Sequence, residues 1–499
     1  MKGYHKALRL DGLELQNGVV MSLKEIAFNT KALVGSEWVG TARSFAVTSP
    51  YSGEVIAQVA DCTEAEAQRA IEAAVTAFEG WRDTTAYERS ALMKRWHALI
   101  LRDEQTLAQT IALEMGKPVS EALGEVRYAA SFIEWYAEEA KRVYGQTVPS
   151  QFAHKRLFVV KQPVGPVYGV TPWNFPAAMA TRKIGPAFAA GCTFILKPAE
   201  QSPLTALKLA ELWLEAGGPP GVLQVLPTSD PVALTRVMMA DERIRKITFT
   251  GSTEVGKILV RQSADTLKRI SMELGGHAPY LVFEDADLEQ AVKDVVACKF
   301  RNAGQTCVCT NRVYVQEGIL EAFGQKLAQA AARLKVGDPL DPSTQIGPLV
   351  DRQGLEKVKA HVEDAKARGA VVLTGGEATG GLFYAPTVLA GVREDMRIMH
   401  EETFGPVAPL IPFKTEEEAV RAANHSPYGL AAYLWTQDLN RAIRVAERLE
   451  YGIIGLNDAV PSTAQAPFGG VKHSGFGREG GHWGLEEYLY VKYISVGGV

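Results

Sequence analysis

A thiol is the strongest protein nucleophile near neutral pH, and one of the five cysteines stands where attack on a carbonyl is feasible. The run RNAGQTCVCTN puts Cys307 in a small, polar loop after Gly304, an accessible setting unlike that of Cys192 or Cys298. Cys298, within DVVACKF, reads as core packing. A thiol that adds to a carbonyl also needs a base and a donor for the oxyanion. SMELGGH supplies Glu273 at a strand end, next to two glycines that let substrate and backbone approach closely. PWNFP supplies Asn174, whose amide N–H can stabilise a developing oxyanion. Taken singly, a Glu or Asn in such a place is structural more often than not.

A second group of residues suits a nucleotide. KITFTGSTEVGK sets Gly251 and Gly256 directly after an apolar strand and at the opening of a helix, whose free N–H groups and positive dipole end attract a pyrophosphate. The spacing is not GxGxxG, so a plain strand-to-helix turn remains the alternative. ILKPAE ends another strand, and there Lys197 and Glu200 emerge at the sheet's carboxyl edge, as ribose contacts or as solvated charges. A carboxylate at Glu200 would repel a 2′-phosphate, which favours NAD and leaves NADP as the alternative.

These residues must be positioned by an α/β scaffold. Thr63 and Glu66 have capping-box spacing, and Ile71, Val75 and Phe78 follow on one helical face. Helical patterns continue from about 85 to 145 and include one closed by Gly116. From Arg156 onward, short apolar runs (VYGV, TFILK, VLQVL, KITFTG) alternate with helical stretches, the texture of a buried parallel sheet covered on both faces. In SPLTALKLAELWLEAGG, Ser202 is expected to cap, Pro203 to open and Gly217 and Gly218 to end a helix. A second alternating series runs from APYLVFEDAD, through a helix over 287–300, to about residue 470. RLFVVKQPV and the terminal YLYVKYISV have β character and could form a small sheet arm.

At 499 residues, two or three domains are expected. Lys and Arg total 53 against 57 Asp and Glu, a net charge of -4, so no basic field exists to hold nucleic acid. The odd cysteine count without framework spacing points to reduced thiols and a cytoplasmic protein. The N-terminal stretch is broken by charged and polar residues and offers neither a signal h-region nor a membrane span, so it reads as a loose extension, with Met21 as an alternative start. No metal site is expected.

WNFP, KPAE, FTGSTEVG, MELGG, GQTC, EETFGP and PFGGVKHSGFGRE occur together and in this order. On these motifs, from about residue 30 to the end, the chain resembles the aldehyde dehydrogenases. The resemblance implies an α/β aldehyde dehydrogenase fold: a Rossmann-like cofactor domain, a second α/β catalytic domain and a small β oligomerisation arm. The corresponding boundaries are an extension over 1–28, a cofactor domain over 29–145 and 166–275, a catalytic domain over 276–475, and an arm over 146–165 and 486–499. It implies Cys307 as nucleophile, Glu273 as general base, and Asn174 with the Cys307 N–H as oxyanion hole. Cofactor contacts would come from Thr171, Pro172, Trp173, Lys197, Pro198, Ala199, Glu200, Gly251, Ser252, Val255, Gly256, Leu274, Glu402 and Phe404.

Within the family, TRKIGPAFAAGCTFILKPAEQSPLTALKLAEL and KFRNAGQTCVCTNR resemble the succinate-semialdehyde dehydrogenases. Arg182, Arg301 and Ser462 match positions where that subfamily holds a distal carboxylate, and an Arg fork suits such a group; an internal ion pair is the alternative for either arginine. Glutarate semialdehyde and sulfolactaldehyde are competing substrates. Cys309, two residues beyond the nucleophile, either packs or forms a strained, easily reduced disulfide with Cys307. A homodimer or homotetramer is expected, and a CoA-acylating enzyme or a catalytically silent relative are the rival readings. LPTSDPVALTRVMMAD departs from the pattern by lacking glycines after its strand.

Overall fold

Strands that are apolar on both faces must be covered on both sides, and helices provide that cover for two sheets. The computed structural model describes residues 26–499, so most of the expected N-terminal extension, Met21 included, lies outside the described residues. In the first sheet, Leu223–Val225, Phe194–Lys197, Val167–Val170, Lys246–Thr250 and Arg269–Glu273 run parallel in that spatial order. Antiparallel edges are added by Ala32–Val34 and Glu37–Val39 on one side and Gly475–Phe476 on the other. The chain moves outward from Val167–Val170 to Phe194–Lys197 and Leu223–Val225, then returns to place Lys246–Thr250 on the opposite side. The direction of winding therefore reverses between Val167–Val170 and Lys246–Thr250, and the crevice beyond their carboxyl ends is where an open α/β sheet binds ligands.

Local sequence accounts for most of the surrounding helices. Thr63 and Glu66 close the capping box of Glu64–Asp83, and the left-handed Gly116 ends Glu104–Met115. Asp230 caps Pro231–Ala240 by accepting from the Ala233 amide at 3.1 Å, so the turn that lacks glycines is organised by a carboxylate instead. Ser202 corrects the expectation made for it. Its hydroxyl makes no cap bond to Pro203–Glu215 and instead points to the Trp173 carbonyl at 3.4 Å. The cap is supplied from a distance by buried Glu114, whose carboxylate accepts from the amides of Leu204 (2.8 Å) and Thr205 (3.0 Å).

The second sheet has the order Val371–Thr374, Thr387–Ala390, Val407–Phe413, Thr310–Gln316, Ala278–Val282, Ala431–Trp435 and Ile453–Leu456. All its pairings are parallel except the first. Each sheet has its own apolar core, and the Cys307 loop belongs to the second. Apart from both, Lys155–Pro163 pairs antiparallel along its length with Leu489–Gly497, and Gln146–Val148 adds a third strand. This ribbon leaves Phe158, Tyr490, Val491, Tyr493 and Ile494 exposed. Among the described residues no helix is long and apolar enough to cross a membrane.

Candidate active site

Cys307 is delivered by an unusual turn. After helix Leu288–Phe300, the residues Asn302, Ala303 and Gly304 all adopt left-handed backbone (φ 52°, 53° and 75°). A non-glycine residue in that region costs about 1 kcal/mol or more, so the turn must be held by its surroundings. It is. The Asn302 amide donates to Glu121 at 2.7 Å, Gln305 Nε2 donates to the Asn302 carbonyl at 3.0 Å, and the Val350 amide donates to Gln305 Oε1 at 2.9 Å. Glycine is required at two close approaches: a Cβ on Gly304 would lie 2.1 Å from the Gly405 carbonyl oxygen, and one on Gly276 would lie 2.4 Å from that of Cys307. The nucleophile loop is thus clamped between the segment after Glu273 and the segment bearing Glu402 and Phe404.

Cys307 is also where two cavities meet, each of about 340 Å³. One is lined by Pro172, Trp173, Asn174, Gly251, Ser252, Leu274, Glu402 and Phe404, all after strands of the first sheet or on the facing loop. The other contains Arg182, Arg301 and Ser462, with Tyr128, Phe175 and Phe468. Asn174 is buried beside the junction and spends one N–H on the Gln305 carbonyl at 3.1 Å, which leaves its second hydrogen for a ligand. Its backbone is fixed by a buried ion pair between Lys117 and Glu125. Lys117 Nζ donates to the Asn174 carbonyl at 2.7 Å, while Glu125 accepts from the amides of Ala177 (2.9 Å) and Ala178 (3.3 Å).

Glu273 ends strand Arg269–Glu273, fully enclosed, and neither carboxylate oxygen has a hydrogen-bond partner among the described residues. Burial, reinforced by the nearby Glu479, holds its carboxyl well above the ordinary range. Glu479 is kept ionised by a buried cluster in which Arg182 and Lys183 both contact it, and Lys183 also donates to Thr250 Oγ1 at 2.6 Å. Burial pushes the Cys307 thiol up to about 12, against the opposing pull of the Arg182 charge. Glu402 is raised to about 7, mainly by burial, and accepts from the Gly276 amide at 3.3 Å.

Of the expected cofactor contacts, Pro172, Trp173, Gly251, Ser252, Leu274, Glu402 and Phe404 line the first cavity, whereas Thr171, Lys197, Pro198, Ala199, Glu200, Val255 and Gly256 are not among its lining residues. Helix Thr253–Ser263 begins at its edge with four amides lacking intrahelical partners, and the Ser252 hydroxyl claims only the one on Val255, at 3.3 Å. Val255 is itself exposed. Gly256 plays a packing part, since a Cβ there would lie 2.4 Å from Leu274. Thr171 follows strand Val167–Val170, and buried Lys197 reaches Glu200 at 3.3 Å, with Pro198 and Ala199 between them. Trp173 and Phe404 meet edge to face, ring centroids 5.6 Å apart, and Phe404 too has a left-handed backbone.

On the other side, Arg182 makes the internal ion pair with Glu479 yet still lines the cavity with Nη2 unpartnered, while Arg301 forms none of the described ion pairs. Cys309 is buried, its thiol directed at the Gly304 carbonyl at 3.2 Å, and all five cysteines are free. Reading the sequence missed Lys117, Glu121, Glu125 and Tyr128 on the substrate side, and Gln353 and Lys357 on the cofactor side. For all of the first group but Lys117 the signal was present: Glu121, Glu125 and Tyr128, with Gly124, fall at i, i+4, i+7 and i+3 of Val119–Glu139, one face of a helix. Among the described residues no group of His, Cys, Asp or Glu is gathered to hold a metal ion.

A family model, described as the aldehyde dehydrogenase family, matches residues 38–494, and the chain belongs to that family of NAD(P)-dependent oxidoreductases. The glutarate-semialdehyde dehydrogenase of Pseudomonas putida is 49% identical over 95% of this chain and 100% of its own. The NADP(+)-named succinate-semialdehyde dehydrogenase of Escherichia coli is 49% identical over 94% of this chain and 98% of its own. The solved succinate-semialdehyde dehydrogenase of Burkholderia pseudomallei superimposes with a TM-score of 0.93 at 50% identity, covering 95% and 98% of the two chains.

Proposed function

We propose that the protein oxidises succinate semialdehyde to succinate, with Cys307 forming first a thiohemiacetal and then a thioester. The observation that carries this reading is the position of Cys307 at the meeting point of two cavities, one suited to a dinucleotide and one presenting Arg182, Arg301 and Ser462. The Cys307 thiolate attacks the aldehyde carbon, and Asn174 Nδ2 together with the Cys307 N–H holds the oxyanion. A nicotinamide dinucleotide, which Ser252, Lys197, Glu200, Glu402 and Phe404 would hold, would supply the two-electron acceptor for the hydride that leaves the thiohemiacetal carbon. Glu273 then takes a proton from the water that hydrolyses the thioester. Burial and the nearby Glu479 raise its proton affinity, which strengthens it as a base once ionised.

Glu200, ion-paired to Lys197, supports NAD over NADP, because a carboxylate beside the adenosine ribose would repel a 2′-phosphate. The exposed apolar ribbon Lys155–Pro163 with Leu489–Gly497 supports a homodimer or homotetramer. Cys309 is close enough in sequence to serve as an oxidative brake on Cys307, although its buried thiol would first have to turn away from Gly304. The free cysteines are consistent with a cytoplasmic protein. Glutarate semialdehyde and sulfolactaldehyde would satisfy the same arginines. The test is an initial-rate assay of these aldehydes and a neutral aldehyde with NAD and with NADP, with and without CoA. The highest kcat/KM is expected for succinate semialdehyde with NAD, independent of CoA, and equal rates for the neutral aldehyde would overturn the reading.

A further inference from the structure

Buried donors are almost always satisfied, so a cavity whose lining residues keep several donors unpaired is suited to an acceptor-rich ligand. Among the residues that line the cavity on the arginine side of Cys307, Arg182 Nη2, Arg301 Nε, Thr306 Oγ1 and Tyr128 Oη are buried without hydrogen-bond partners among the described residues. The arginines are accounted for by the distal carboxylate. The tyrosine is not.

Tyr128 lies on the face of helix Val119–Glu139 that lines the cavity, one turn beyond Gly124, where an added Cβ would meet nothing within 4 Å. The missing side chain at Gly124 keeps that face open. The ring is held edge to face against Phe132, with centroids 4.9 Å apart, so the phenol is fixed by packing that does not involve its oxygen. Burial also keeps the phenol protonated, leaving it a hydrogen to donate. The nearby anion Glu121 is already engaged by the Asn302 amide.

We propose that Tyr128 is a specificity-determining residue whose hydroxyl donates to the distal acid group of the substrate, completing the anion site begun by Arg182 and Arg301. The inference rests on the anionic-aldehyde reading of this cavity and extends it. A carboxylate offers about four lone-pair positions, enough for three donors and the Ser462 hydroxyl together. A neutral aldehyde would leave the phenol unpaired, so Tyr128 selects for the acid as well as binding it.

The experiment compares the parent enzyme with Tyr128→Phe, which keeps the ring and its Phe132 contact. KM for succinate semialdehyde should rise about tenfold, the loss of one hydrogen bond to a charged group, with kcat little changed. KM for butanal should stay the same or fall. Succinate, as product, should raise the Tm of the parent and raise that of the variant by much less. The ligand-free variant should melt no lower than the parent, because the hydroxyl has no partner in the fold to lose. Equal KM changes for both aldehydes, unchanged succinate protection, or a lower ligand-free Tm would each overturn the assignment. If the parent itself does not prefer succinate semialdehyde to butanal, the anion-site reading fails as a whole. If it does and Tyr128→Phe keeps that preference, only the role of Tyr128 fails.

Discussion

The two cavities that meet at Cys307 are built by different means. On the cofactor side, part of the lining is short turns at the carboxyl ends of parallel strands, Pro172 to Asn174, Thr250 to Ser252, Leu274 and Gly275, and the rest comes from the facing segments at Val350 to Lys357 and Glu402 to Phe404. On the other side it is side chains, several of them charged and buried, drawn from helix Val119–Glu139, helix Pro176–Ala190, the turn at Arg301 and the loop at Ser462. The first arrangement recognises a ligand that all members of a class share. The second can change its preference by exchanging single side chains without disturbing the sheet, which is where selectivity among aldehydes belongs.

That contrast can be broken at several points. The largest effect should come from Glu273→Gln at the junction. The amide cannot accept the proton from water, so steady-state kcat should fall by about 10²–10⁴-fold while a rapid first turnover of reduced nucleotide survives. In the parent, kcat should climb with pH through a limb above the ordinary carboxylate range, because Glu273 must lose a proton that burial and Glu479 make it hold. The same limb should vanish in the variant, and a normal kcat would remove Glu273 from the mechanism.

Next in size are the arginines. Arg301→Ala should raise KM for succinate semialdehyde by about 100-fold, with little change for a neutral aldehyde and little change in Tm. Arg182→Ala should raise the same KM and also lower the Tm, because Glu479 loses one of its two buried cationic partners. Kinetics with both aldehydes, alongside thermal denaturation, separate the two, and equal effects on anionic and neutral aldehydes would show that neither arginine reads charge. On the cofactor side, Glu200→Ser should improve kcat/KM with NADP by about tenfold, reading the removal of one like charge at a half-exposed site. The smallest change is expected for Cys309→Ala, which should leave kcat/KM within about twofold of the parent and slow inactivation by peroxide. Unchanged peroxide sensitivity would make Cys309 a packing residue.

Local features were legible from residue types alone. The capping box at Thr63 and Glu66, the stop at Gly116 and the strand-to-helix turn at Gly251 are each made by residues a few positions apart, so their physics is contained in a short window. Ser202 shows where that reasoning fails. It has the right type and place for a cap, but Glu114, some ninety positions away, takes the helix amides instead. The same limit hid Lys117, which donates to the Asn174 carbonyl from 57 positions away, a contact that no local pattern announces.

By itself the sequence determined the chemistry at hand: a thiol in a glycine-bearing loop, a carboxylate at a strand end, an amide after another strand, and the motifs that tie them to one family. Those are properties of residue type and order. Only the tertiary structure decided that Cys307 joins two cavities, that Arg182 pairs with Glu479 while lining the second of them, and that Tyr128 is left with a hydroxyl to satisfy. Whether a buried donor is paired depends on every group that packs against it, and those groups come from segments hundreds of residues apart.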